Sequence, residues 1–162
     1  MNKKGYLALK EFFLGHQKLL TAAQMTQKVA ELVVYAAYPA FLLYLVITWD
    51  LFFIKSALVC GAGFLAVSLL RARLNAKRPY EVFGEAPLIK KETKGRSFPS
   101  RHAFSAAIIS VSVWAVFPVF GAVLFAVALI IATLRVLLGV HFIKDVLFGI
   151  LCGVAVGAVV LL

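Results

Sequence analysis

Cysteine is close to absent from this chain. The two in 162 residues, Cys60 and Cys152, lie far apart inside apolar stretches. They do not make a disulfide framework, and without clustered Cys and His spacing they argue against a structural zinc. They read as small buried hydrophobes. Acidic residues are also few: seven Asp and Glu against seventeen Lys and Arg, for a net charge of +10. In a soluble chain that balance would point to nucleic acid. Here there is no zinc finger, no glycine-rich phosphate loop and no RNA-binding aromatic signature. The basic residues flank apolar blocks instead, so anionic headgroups and phosphorylated molecules are the expected partners, and nucleic acid is not.

What the chain has in excess is hydrocarbon. Hydrophobic residues make up 63% of it, against about 45–50% in soluble domains. They arrive in blocks, the pattern of a polytopic membrane protein. The first block covers residues 29–49, with Glu31 near its start and Pro39 inside; the second covers 51–70, with Lys55 near its start. A polar stretch from Arg71 to Arg101 follows, broken by Pro79, Gly84, Pro87, Gly95 and Pro99, and reads as a loop with turns. Residues 103–134 hold no charged side chain. As one helix they would extend roughly 48 Å, well beyond the ~30 Å hydrocarbon core. Pro118 and Gly121 sit near their midpoint, so two short helices joined by a tight turn are expected. The last block, 145–162, carries Gly149, Gly153 and Gly157 four apart, a stripe for close helix packing.

Residues 1–28 lack the compact apolar core and small-residue cleavage site of a signal peptide. Polar residues recur there with a period of seven, as Lys3/Lys4, Lys10/Glu11, Gln17/Lys18 and Gln24, with Tyr6, Leu9, Phe13 and Leu20 on the other face. That pattern predicts an amphipathic helix lying in the membrane interface, the alternative being a helix packed on other protein. His16 falls within it and reads as an interfacial residue. The expected organisation is an interfacial helix over 1–28 and an all-α, polytopic membrane bundle of about five short transmembrane helices over 29–162.

Ionisable residues in or beside spans are costly, which makes them functional candidates. In RARLNAKRP, Arg71 and Arg78 are about two helical turns apart and can share a face, where guanidinium groups grip phosphate. In PSRH, Ser100, Arg101 and His102 stand at a new helix start, where backbone N–H groups favour an anion and histidine adds a proton donor. In RVLLGVHFIKD, Arg135 precedes His141 and Asp145, which are i and i+4 and are expected to meet on one helical face. A carboxylate on one imidazole nitrogen raises the basicity of the other, as a nucleophile requires. Folding 103–134 as a hairpin brings all three clusters to one side of the membrane.

The order R-x6-RP, PSRH, R-x5-H-x3-D resembles the signature of the type 2 phosphatidic acid phosphatase (PAP2) superfamily, usually K-x6-RP, PSGH, SR-x5-H-x3-D. The likeness runs from Arg71 to Asp145. It implies a membrane phosphatase for lipid phosphates, such as phosphatidate, phosphatidylglycerol phosphate or undecaprenyl diphosphate, with no metal or other cofactor. It further implies that His141 attacks phosphorus to give a phosphohistidine, that Asp145 orients His141, and that His102 protonates the leaving oxygen. Arg71, Arg78, Ser100 and Arg135 would hold the phosphoryl oxygens. Three positions depart from the family pattern: Arg71 stands for lysine, Arg101 for the glycine of PSGH, and Leu134 for serine. Arg101 is expected to add a phosphate contact. A lipid phosphotransferase, or a non-catalytic lipid-phosphate binding or transport protein, would use the same residues. The hydrophobic blocks disfavour a soluble haloperoxidase with a similar site.

With five spans the N-terminus and the site share a side, and 16 of the 17 Lys and Arg lie there. The positive-inside rule then predicts a multi-pass protein of the cell membrane with its site facing the cytoplasm. A sixth crossing by residues 1–28 would remove that inference. Oligomeric state is not legible.

Overall fold

The computed structural model describes residues 2–89 and 94–162. Its elements in chain order are α1 (Lys3–Gly15), α2 (Gln17–Ile47), α3 (Phe52–Leu74), α4 (Pro79–Phe83), α5 (Arg101–Trp114), α6 (Pro118–Leu137) and α7 (Ile143–Ala158), closed by a 3₁₀ turn at Val159–Leu161. Among the described residues there is no strand. The architecture is the expected all-helical, polytopic bundle.

The five apolar blocks are α2, α3, α5, α6 and α7. Among the described residues four helices are long and apolar enough to cross a membrane, and α5 is not one of them. At 14 residues α5 spans about 21 Å, but it need not meet lipid along its length. It is packed against α2, α3, α6 and α7, and ten of its residues are buried. Phe104, Ile108, Ile109 and Val113 carry the main core from its centre. Three of the others are longer than expected: α2 has 31 residues, α3 has 23 and α6 has 20, while α7 has 16. The hairpin break falls between Trp114 and Pro118, with the proline at the first turn of α6, where its missing N–H costs nothing.

Between apolar helices in lipid there is little hydrophobic gain, so close packing and interhelical hydrogen bonds hold the bundle. The glycine stripe of α7 supplies the packing. A Cβ on Gly149 would stand 2.6 Å from the Ser100 carbonyl oxygen, and one on Gly153 would stand 2.6 Å from that of Phe104. The two backbones therefore touch, and a side chain at either position would force them apart. Deep between α3 and α5, Ser56 Oγ meets Ser112 Oγ at 2.7 Å, and Tyr38 Oη of α2 donates to the Ser56 carbonyl at 3.1 Å. Exposed side chains such as Leu32, Leu43, Leu58, Leu65, Val119 and Leu151 form the apolar outer surface.

The N-terminal region differs from expectation. The period of seven runs through residue 16, but the helix does not: α1 ends at Gly15, and α2 then continues unbroken past residue 28. The face bearing Tyr6, Phe13 and Leu20 is buried against protein, not lipid. Phe13 and Leu20 pack with Leu88, Leu138 and Val140, and Tyr6 lies against Gly139 and Phe83. The physical reason is a complementary apolar surface made by the loop after α4 and the turn before α7. Phe12, Leu14 and Leu19 remain exposed. With 13 residues, about 20 Å, α1 is too short for a sixth crossing.

Candidate active site

Helix ends build the site. The last turn of α3 carries Arg71, whose guanidinium donates to the Pro99 carbonyl. Asn75 then ends α3 in the left-handed region, φ 41°. Arg78 follows at the start of α4. Its Nε donates to the Gly95 carbonyl at 3.0 Å and its Nη1 to the Val140 carbonyl at 3.4 Å, so one buried guanidinium ties two loops together. Glu81 Oε2 fixes the same corner, accepting from the backbone N–H of Arg78 and of Gly95, each at 2.8 Å.

The start of α5 is docked on the start of α7: the Ser100 backbone N–H donates to the Asp145 carbonyl at 2.8 Å. Ser100 Oγ is buried with no partner among the described residues, and it makes no cap bond. The hydroxyl is therefore not spent on the helix end.

His141 sits in the turn between α6 and α7. Gly139, with φ 68°, opens that turn, and a Cβ there would meet the Tyr6 ring at 2.7 Å. The Arg135 carbonyl accepts from the backbone N–H groups of Val140 and His141, at 3.1 and 3.2 Å. His141 precedes α7, so the expected meeting on one helical face is not how this pair forms. Asp145 lies in the first turn of α7, and its Oδ2 folds back to accept from the Phe142 backbone N–H at 3.0 Å. The same oxygen accepts from Ser97 Oγ at 2.5 Å and faces His141 Nδ1 at 3.5 Å. That leaves Nε2 for the open side of the ring. Burial pushes the His141 imidazole down to about 4. The Asp145 hydrogen bond opposes that shift, and Arg78 and Arg135 add to it. At neutral pH His141 is therefore uncharged, the form in which its nitrogen has a lone pair to give.

A cavity of about 520 Å³ opens on this face, walled by Arg71, Arg78, Lys94, Arg96 and Arg101, with Asn75, His102 and His141 also lining it. Five cations on one concave wall make an anion receptor. Arg101 does not block it: its guanidinium stacks over the Phe64 ring, 5.2 Å from the centroid.

The structure thus brings Arg71, Arg78, Arg101, His102 and His141 to one cavity. Asp145 stands behind His141, as expected. Ser100 and Arg135 do not line the cavity. Arg135 is buried, and its Nη2 donates to Glu31 Oε1 at 2.6 Å. Sequence reasoning did not assign Ser97, Lys94, Arg96 or Glu31 to the site. Ser97 lies two residues before the PSRH stretch and gave no chemical signal of its own. Glu31 did give one, as an acid inside an apolar block.

The profile of the PAP2 superfamily matches residues 51–162. A search of curated protein sequences gives no match. Among solved structures, LpxE of Aquifex aeolicus is similar with TM-score 0.71 and 26% identity, over 88% of this chain and 85% of that one. The first transmembrane PAP2-type phosphatidylglycerolphosphate phosphatase from Bacillus subtilis is similar with TM-score 0.56 and 25% identity, over 96% and 93%.

Proposed function

The chain belongs to the PAP2 superfamily, and from that premise we propose that it is an integral membrane phosphatase acting on a lipid phosphate or diphosphate through a phosphohistidine at His141. The observation that carries this reading is a buried, uncharged His141, backed by Asp145, on the wall of a cavity with five cations. His141 Nε2 attacks phosphorus, and the bond to the leaving oxygen breaks with its electron pair. His102 gives that oxygen its proton. Water then attacks the phosphohistidine, returning a proton to His102 and releasing phosphate. For a diphosphate the other product is a lipid monophosphate.

Positioning and charge neutralisation are the protein's main contribution to phosphoryl transfer. Arg71, Arg78 and Arg101 take the phosphoryl oxygens from the cavity wall. Ser100 and Arg135 are one layer behind them and complete the cradle when substrate draws them in. A lipid tail has a place beside it. A largely apolar groove of about 310 Å³, lined by Tyr35, Tyr38, Gly61, Phe64 and Ile108 among others, shares Phe64 with the Arg101 contact. That continuity favours a substrate whose headgroup and hydrocarbon bind together, of the kind named for the Bacillus subtilis neighbour. The charge bias of the site end favours a cytoplasmic orientation in the cell membrane.

The test is phosphate release from phosphatidate, phosphatidylglycerol phosphate and a polyprenyl diphosphate, in the presence of EDTA, with acid-labile phosphoenzyme trapped from ³²P-labelled substrate. Release with a trapped phosphohistidine is expected. Release that leaves no phosphate on the protein, or none from any of these lipids, overturns the reading.

A further inference from the structure

Glu31 is the acidic residue of the α2 apolar block, and a carboxylate in a span persists only where it meets partners. Its Oε1 is where three helices converge. It accepts from Arg135 Nη2 of α6 at 2.6 Å and from Gln27 Nε2 of its own helix at 2.9 Å, and it stands 3.9 Å from His102 Nε2 of α5. Arg135 Nε is buried without a partner among the described residues, so Glu31 is what holds that guanidinium. Tyr35 lies one turn further along α2, its ring 6.3 Å from the His102 ring.

Among the described residues, the other charged groups lining the cavity of His102 are cationic. Arg101 adjoins His102 on α5, Arg135 of α6 shares Glu31 with it, and Arg71, Arg78, Lys94 and Arg96 line its cavity. The second carboxylate of the site, Asp145, is taken up by His141, Ser97 and the Phe142 backbone. Each histidine thus has its own carboxylate, one from α7 and one from α2. We infer that Glu31 is a positioning residue for leaving-group protonation: it fixes Arg135 and sets the His102 imidazole so that its proton faces the leaving oxygen. Glu31 touches no substrate; the proton moved is the one on His102. The 3.9 Å gap is an ion-pair distance, longer than a hydrogen bond. Apo sites commonly close such gaps when substrate binds.

This inference rests on the phosphatase reading, and its test separates the two. Glu31→Gln keeps an acceptor for Arg135 and removes the charge. Two substrates are compared in detergent: a long-chain alkyl phosphate, whose alkoxide needs a proton, and a nitrophenyl phosphate with the same chain, whose leaving group does not. With E31Q, kcat on the alkyl phosphate should fall at least about tenfold, within the range of acid catalysis, with KM nearly unchanged. On the nitrophenyl substrate the loss should be less than about threefold, since that leaving group gains little from acid catalysis. In a His102→Ala background, E31Q should cost nothing further on the alkyl phosphate. If E31Q does not fold, Glu31→Asp, which keeps the charge but retracts it, should show the same selectivity more weakly. Equal losses on both substrates, or none on either, with an active wild type overturn the role of Glu31 alone. A wild type inactive on both substrates and on the lipid panel overturns the phosphatase reading, and this inference with it.

Discussion

The two ends of the bundle are built on opposite terms. At the site end Arg71, Arg78, Arg135, His141 and Asp145 are all buried, each held by a backbone group or an opposite charge. At the far end the turn after α2 exposes Trp49 and Leu51 and the turn after α5 exposes Phe117, and aromatic pairs such as Tyr44–Phe117, 5.0 Å between centroids, close the gap. Toward that end the buried polarity shrinks to the Ser56, Ser112 and Tyr38 cluster. Burying charge without pairing is expensive, so the site end carries a cost that folding alone would not select. The far end carries none. Chemistry and cohesion are thereby separated along the membrane normal, and substitutions at the two ends should fail in different ways.

The sharpest break of that comparison is His141→Ala. Phosphate release should fall by at least about a thousandfold, as for the loss of a covalent nucleophile, while circular dichroism keeps the full helical signal. A variant within tenfold of wild type would remove His141 from the chemistry. Gly153→Leu should fail in the other way. Its Cβ would start 2.6 Å from the Phe104 carbonyl oxygen, and overpacking of this kind costs about 1–3 kcal/mol. Thermal stability and activity should fall together, because α7 carries Asp145 and helps frame the His141 turn. A Tm equal to that of wild type would mean that the helices do not meet at this stripe.

Acid should act through the site end. A histidine buried uncharged takes up a proton when the chain unfolds, so its contribution to stability is present at neutral pH and is lost on acidification. The Tm should fall as pH drops through the window from 6.5 to about 4. His141→Gln should flatten that fall, and an unchanged slope would place the titrating group elsewhere. The smallest effect is at the cluster toward the far end. Ser112→Ala removes the bond to Ser56 and should lower stability by about 0.6 kcal/mol, the average for interhelical bonds in membranes, with kcat and KM unmoved. An activity loss there would erase the division between the two ends.

Most of the architecture was legible in the sequence because its signals are long. A span needs about twenty apolar residues, and Pro118 marked the hairpin by a property of its own ring. Arg71, Arg78, Arg101, His102 and His141 were legible as one site because their order and spacing carry more than any one of them. What escaped was short or distant. The break at His16 had only Gly15 to mark it, set against a polar period that ran through. The pairing of His141 with Asp145 was expected, but its local form depends on Phe142 ending the turn, which nothing in the side-chain pattern reveals. Glu31 is 104 positions from Arg135, and no periodicity links residues brought together only by helix packing. The apolar face of α1 fits lipid and protein equally well by composition. Only the surface formed by Leu88, Leu138 and Val140 decides it.

The contact of α7 with α5 also has a mechanical side. Bilayers thicken and thin with composition and temperature, and spanning helices respond by tilting. The outer helices α2 and α3 meet α5 mainly through side chains, as where Gly63 faces the side chains of Phe104 and Ile108, and these can slide. The α5–α7 pair meets backbone to backbone at Gly149 and Gly153 and is pinned at its top by the Ser100–Asp145 bond. It moves as one stiff strut. The spacing between His102 and His141 is therefore a property of that strut and not of the surrounding film, so a change in membrane thickness reaches the reaction through how substrate arrives, while the two histidines keep their registry.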